Sequence, residues 1–248
     1  MIKSILTSVV GIYIALLIMR LVAWTVLERF FTAHKFNPRA VIVSDLATTF
    51  FLVLVTAPIV TKLIAYMDLR VTVPHAIASL PLAARLVLYI VLADLGHYWV
   101  HRLMHHPRMW RIHKWHHSPT HMSWAAGNRE SLLDAILVNS AYAFLWPIVG
   151  GLPYWLGAML LVFNILKNDW MHLNVRLSLP WLEWLFVTPR YHHIHHSANP
   201  SHFNSNFSIV FSIWDRLFGT YTPPDVPRDS LEFGIGERPP LPRLMLGV

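Results

Sequence analysis

The sequence predicts an all-α protein embedded in a membrane, and three observations carry that expectation. Of 248 residues, 55% are hydrophobic and 13% charged, with a mean hydropathy of +0.45, whereas a soluble domain carries about 25% charged residues. The apolar residues gather in runs, the longest exceeding the roughly 20 residues that cross a bilayer as a helix. Between and just beyond those runs lie histidines three and four apart, a spacing that brings side chains to one helix face.

Taken in order, the first run covers residues 5–27, with only Lys3 ahead of it and no small-residue cleavage site, and is expected to be a retained span rather than a signal peptide. Residues 41–66 and 82–100 are the second and third candidate spans. Residues 132–149 and 154–166 are shorter and flank Gly150-Gly151-Leu152-Pro153, a turn signal, so they predict a helical hairpin. Arg29, Lys35 and Arg39 follow the first span, against Lys62 and Arg70 near the second, which puts the first loop in the cytoplasm. The third span then runs inward, and the hairpin returns the chain to the same side for residues 172–196. Every histidine cluster ends on one face. After Pro180, the residues Trp181, Trp184, Leu185 and Phe186 predict an interfacial helix. The proline-rich tail, residues 222–248, is expected to wrap the cytoplasmic cap or stay partly mobile.

The net charge of +7 comes with basic residues that flank apolar runs, a pattern of membrane orientation and not of nucleic-acid binding. With no cysteine, disulfides and thiolate metal sites are excluded. Three histidine clusters dominate: His101 and His105; His113, His116 and His117; His192, His195 and His196; His172 is a ninth candidate. Imidazole suits iron, zinc, copper and nickel. No HExxH zinc motif is present, and nine candidate ligands are too many for one metal but suit two with open positions. Two irons fit best. Soluble di-iron bundles use glutamates; this chain offers neutral imidazoles almost throughout.

The string Asp94-Leu-Gly-His-Tyr-Trp-Val-His101-Arg102-Leu-Met-His105, followed by Trp110-Arg-Ile-His113-Lys-Trp-His116-His117-Ser118, resembles the fatty acid hydroxylase/sterol desaturase superfamily of integral-membrane oxygenases. Downstream, Thr188-Pro-Arg-Tyr-His192-His-Ile-His195-His196-Ser197, Asn204-Ser-Asn206-Phe and Trp214-Asp215-Arg216-Leu-Phe-Gly219-Thr220 resemble its third box and closing motif. The resemblance implies about four transmembrane helices, including the hairpin, under a cytosolic helical cap that holds two irons. It implies residues 1–80 as N-terminal transmembrane helices, 81–221 as the catalytic domain and 222–248 as the tail. The eight box histidines would be ligands, and His172 of His172-Leu-Asn174 the ninth.

The implied activity is O2-dependent hydroxylation or desaturation of a lipid C–H bond, with hydroxylation favoured. Electrons would come from an external NAD(P)H-linked chain through a ferredoxin or a cytochrome b-type protein, since no GxGxxG, haem or flavin motif is present. Asp94 and Asp215 are expected to hydrogen-bond ligand imidazoles, because metal-bound histidine donates its other N–H. His97 is expected behind the ligands or on the substrate side. His121, His193 and His202 are expected to be solvated or behind the ligands, and His34 and His75 to lie in loops away from the site. Two departures stand out: Arg176 replaces a second histidine found in some relatives, and Arg129-Glu-Ser131-Leu-Leu-Asp134 stands where RxHPxE is common. Two rival classes are a non-catalytic lipid-binding descendant, which would have lost box histidines, and a histidine-lined metal transporter, which would place ligands near the bilayer midplane.

Overall fold

The structure, a computed structural model, describes residues 2–35, 38–68, 72–149, 154–227, 230–237 and 241–247. Its helices are α1 (Ile2–Phe30), α2 (Pro38–Phe51), α3 (Ala57–Asp68), α4 (His75–Ala78), α5 (Leu82–Met104), α6 (Trp110–His113), α7 (Leu132–Leu145), α8 (Tyr154–His172), α9 (Pro189–His195), α10 (Ile213–Leu217) and α11 (Leu241–Leu246). Among the described residues there is no strand, only three isolated β-bridges. A π-helical turn, Leu52–Thr56, joins α2 to α3 into one continuous rod.

Segments Asp45–Leu63, Leu82–Met104 and Leu132–Val149 are long and apolar enough to cross a membrane. Their outer faces are bare hydrocarbon, with Leu54, Val87 and Phe144 each more than 60% exposed, which water would penalise and lipid does not. Helix α5 packs chiefly along α7. Tyr89, Ala93, Val149 and Leu160 form the core there. Local chemistry sets the helix starts. Ser131 caps α7 by accepting the Asp134 N–H at 3.1 Å, and Thr188 caps α9 with Pro189 in its first turn.

Helix α1 is fastened to the histidine-bearing region by polar ties and by packing. Leu17, Trp24 and Leu27 pack on Trp124, Leu173 and Val175. Buried Arg20 forms a two-pronged ion pair with Asp169 and donates to Asn128 Oδ1 at 3.0 Å. Glu28 accepts the N–H groups of Trp124 and Asn174 at 2.8 and 3.0 Å. Arg176 is exposed and donates to the Thr32 carbonyl, which ties it to the residues that follow α1.

Several expectations are corrected here. Helices α5 and α8 run longer than the apolar runs, to Met104 and His172, because the polar residues that end hydropathy do not end a helix. The interfacial helix after Pro180 is a single 3₁₀ turn, Leu182–Trp184: Trp181 and Trp184 are exposed as expected, but buried Glu183 faces inward to Thr188 and Arg190, which breaks the apolar stripe. The tail is no correction, since it follows the first of its two expected courses and packs back on the body: the Ala198 N–H donates to the Glu232 carbonyl at 2.7 Å, and α11 packs on α6 and α7. The turn 150–153 and Arg70 lie outside the described residues, as does the Arg39 side chain.

Candidate metal centre

The nine candidate histidines fall into two groups. His101, His105, His113, His117 and His195 form one; His116, His172, His192 and His196 form the other, and within each the nitrogens offered lie within 4.8 Å of one another. The sequence clusters do not map onto the groups. His101 and His105 project from the end of α5, one turn apart. Helix α6 stops at His113, so His116 and His117 sit in turns rather than on a helix face, and the two neighbours point into different groups. In α9, His195 joins the first group while His192 and His196 join the second with His172 from the end of α8.

The second group has the dimensions of a coordination shell. Its Nε2 atoms are 3.2 Å apart for His116–His172, His172–His196 and His172–His192, and 3.0 Å for His192–His196. Four nitrogens at about 2.0–2.1 Å from one tetrahedral metal would be about 3.4 Å apart. In the first group, His101 Nε2 and His113 Nε2 face each other at 3.2 Å. His105 Nε2, His117 Nε2 and His195 Nε2 are buried with no hydrogen-bond partner among the described residues. Buried polar atoms are normally satisfied; atoms left bare and aimed at one point suit a cation. Burial, reinforced by neighbouring imidazoles, holds His105, His113, His116, His117, His192, His195 and His196 below the ordinary imidazole range. At neutral pH they are uncharged and present lone pairs.

The opposite ring edges are fixed by acceptors. His101 Nδ1–H donates to the Phe207 carbonyl at 2.8 Å, His195 Nδ1–H to the Ser205 carbonyl at 2.8 Å and His172 Nδ1–H to the Asn168 carbonyl at 2.7 Å. The loop that supplies the first two carbonyls has positive φ at Asn204 (58°) and Asn206 (55°), a conformation asparagine tolerates better than most residues. Asn206 locks it with hydrogen bonds to the backbone of Tyr191 and Thr222.

Asp94 and Asp215 are a correction: neither bonds an imidazole. Asp94 accepts from Val210 N–H, Phe211 N–H and the Trp214 indole, and Asp215 from Phe207 N–H, Ser208 N–H and the hydroxyls of Tyr191 and Thr220. Both satisfy peptide donors of one loop, and Asp215 reaches His101 only through the Phe207 peptide. A carboxylate that does meet one of the nine candidate ligands is Asp134, whose Oδ2 lies 3.0 Å from His113 Nδ1. Its signal was the lone acid in an otherwise apolar run, where a charge is costly without a task. Asp134→Asn should lower metal affinity about 10–100-fold, as read by chelator competition; unchanged affinity would show that the contact has no bearing on the centre.

His97 is buried, 2.9 Å from the Tyr142 hydroxyl, with its ring beside that of His101. His121, His193 and His202 are buried rather than solvated: His121 meets Asp45, and His193 meets His34 at 3.2 Å. The histidine groups are flanked by two cavities. One, of about 120 Å³, touches His101, His113, His116, His172 and His192 from the side of the spans. The other, of about 480 Å³, touches His105, His117, His195 and His196 and is lined in part by Gly234 to Glu237 of the tail.

Residues 86–220 match the sequence model of the fatty acid hydroxylase family. Alkylglycerol monooxygenase of Xenopus tropicalis is 35% identical over 131 residues, 52% of this chain and 29% of that protein. Ornithine lipid hydroxylase OlsE of Rhizobium tropici is 33% identical over 159 residues, 62% of this chain and 46% of that protein. Delta(7)-sterol 5(6)-desaturase erg3C of Aspergillus fumigatus is 32% identical over 171 residues, 58% of this chain and 50% of that protein. The chain thus spans half the length or less of these relatives. No solved structure matches it. The matched stretch covers more than half of the chain and contains all nine histidines of the two groups, and on that footing the chain belongs to the fatty acid hydroxylase family.

Proposed function

We propose that the chain is a membrane-bound oxidoreductase acting on a C–H bond of a lipid, by hydroxylation in preference to desaturation, with one iron held by each histidine group. The observation that supports this most is the pairing of two buried, all-imidazole groups, each with nitrogens turned toward a common centre. The ligands would be His101, His105, His113, His117 and His195 for one iron and His116, His172, His192 and His196 for the other. The names of the three relatives concern lipid hydroxylation, monooxygenation or desaturation. A metal transporter is not favoured, because His101, His105 and His172 sit at the ends of α5 and α8 rather than midway along them.

When bound, the irons supply the reductive activation of dioxygen. In hydroxylation, one oxygen atom enters the C–H bond and the other leaves as water, with two electrons from an external NAD(P)H-linked donor and two protons. The chain's own residues fix the imidazoles through the Ser205, Phe207 and Asn168 carbonyls and Asp134, and exclude water by burying both groups. The donor, a ferredoxin or a cytochrome b-type protein, would meet the cytoplasmic cap near Arg108 and Arg111, both exposed. Arg190 contributes less than its charge suggests, since it pairs with Glu183 and Asp225. The N-terminal helices, residues 1–80, and the tail, 222–248, would support a catalytic unit at 81–221.

Two measurements test this reading. Protein purified from cells grown in air should hold close to two irons per chain, and lipid product formed under labelled dioxygen should gain one labelled oxygen atom if hydroxylated and none if desaturated. Product formation under strict anaerobiosis would remove the reading. For orientation, Lys35→Cys and Ser230→Cys, both at exposed positions of a cysteine-free chain, should label with an impermeant thiol reagent only from the cytoplasmic side; labelling of both from the exterior would invert the topology.

A further inference from the structure

The two histidine groups are not equally placed for exchange with water. The cavity of about 480 Å³ touches three members of the five-histidine group, His105, His117 and His195, but only His196 of the four-histidine group. None of its lining residues falls within Asp45–Leu63, Leu82–Met104 or Leu132–Val149, and Asn204, Gly236 and Glu237 in its wall are exposed. It therefore meets water rather than lipid. The other members of the four-histidine group, His116, His172 and His192, line the cavity of about 120 Å³, whose wall includes Leu52, Val138 and Tyr142 from the spans.

Taking a divalent cation out of water into apolar surroundings is expensive, so the ion passes where water can follow it. At roughly 10–15 Å³ per water, the larger cavity has room for a metal ion together with its hydration shell. Its wall carries one carboxylate, Glu237, and no arginine or lysine among the described residues, whereas Arg20 and Lys167 line the smaller cavity. Beside the larger cavity, the Nε2 atoms of His105, His117 and His195 are buried without a hydrogen-bond partner among the described residues. An incoming ion can thus exchange its waters for imidazoles one at a time, and a departing ion can do the reverse.

We propose that this cavity is the port through which a divalent metal ion enters and leaves the five-histidine group, and that the four-histidine group exchanges its ion more slowly, since only His196 of it meets that water. The order is opposite to the one donor number alone gives, because five imidazoles should hold an ion longer than four. This rests on the reading of the two histidine groups as two metal sites, and not on the reaction they catalyse.

Zinc, which binds imidazole and has no redox chemistry, is the probe. The full metal-free chain in detergent micelles, loaded with two zinc ions, should release them to an excess of a water-soluble chelator in two phases of about one ion each, with rates at least tenfold apart. His116→Ala, which spoils the four-histidine group, should hold one zinc and release it at the faster rate. Ile235→Trp, which fills the larger cavity from the tail, should slow the faster phase at least fivefold and leave the slower one unchanged. Val138→Phe, on the span side, should leave the faster phase as it is. Release of both wild-type ions at one rate, or uptake of fewer than two, would overturn the proposal, and this arm decides even if a variant misfolds. Release from His116→Ala at the slower rate would overturn it too, as would wild-type kinetics in a well-folded Ile235→Trp. Two-phase release from a chain that oxidises no lipid would keep the port and sink the oxidoreductase reading. Lipid oxidation by a chain whose two ions leave at one rate would do the reverse.

Discussion

His116→Ala is expected to leave the chain inserted in the membrane, with turnover abolished and about one iron lost per chain. His116 belongs to the four-imidazole group, 3.2 Å from His172 Nε2, so its removal leaves three donors where a stable shell wants at least that many plus substrate-side positions. Its ring is also 4.9 Å from that of His113 in the other group, so the change is felt on both sides. The matched comparison is His75→Ala, an exposed residue in α4 that should keep full iron and full activity. Metal analysis and single-turnover product yield read the outcome, and a His116→Ala protein with two irons and normal turnover would end the ligand assignment.

Gly127→Ala should be nearly as damaging, although it adds only a methyl group and touches no charge. A Cβ there would lie 2.5 Å from His172 Nδ1 and 2.6 Å from Cγ. The ring cannot step aside, because its Nδ1–H is held by the Asn168 carbonyl at 2.7 Å while the Asn168 amide donates back to the Gly127 carbonyl at 3.2 Å. Nor can the turn yield easily: neighbouring Asn128 is tied to Arg20 and to Thr49, each at 3.0 Å. A ligand displaced by about 1 Å costs on the order of 100-fold in rate, and the iron of the four-histidine group should be lost in proportion. Gly157→Ala in α8 is the control, with its nearest neighbour 3.9 Å away; it should be neutral or slightly stabilising, since alanine favours helix. Equal activity of the two variants would refute the argument from close approach.

Much of this was legible in the residues. The apolar runs located the helices because burial in lipid needs length and low charge, and His101 and His105 were legible as a pair because both ride one helix. The division into two groups was not. His116 and His117 are adjacent in sequence and part company in space because α6 ends at His113 and the chain then turns, which periodicity does not encode. Asp94 and Asp215 were misread for a related reason: a buried carboxylate near a box can serve an imidazole or a peptide N–H, and only the path of the loop at 205–211 decides. The same loop holds two imidazoles through its carbonyls, a role with no side-chain signature. Asp134 carried a signal as the lone acid of an apolar run, but spacing does not encode its partner, His113.

The interleaving of the boxes bears on how the protein is made. Each group draws residues from α5 or the turn after α6 and also from α9, so while the ribosome is still upstream of residue 195 neither set of donors is complete. A metal ion captured earlier in synthesis would find only a partial set of these donors. Residues 234–237 come later still in the chain and form part of the wall of the larger cavity beside His105, His117 and His195. In chain order, both sets of donors are thus complete only once residue 196 has been made, and this part of the cavity wall follows them.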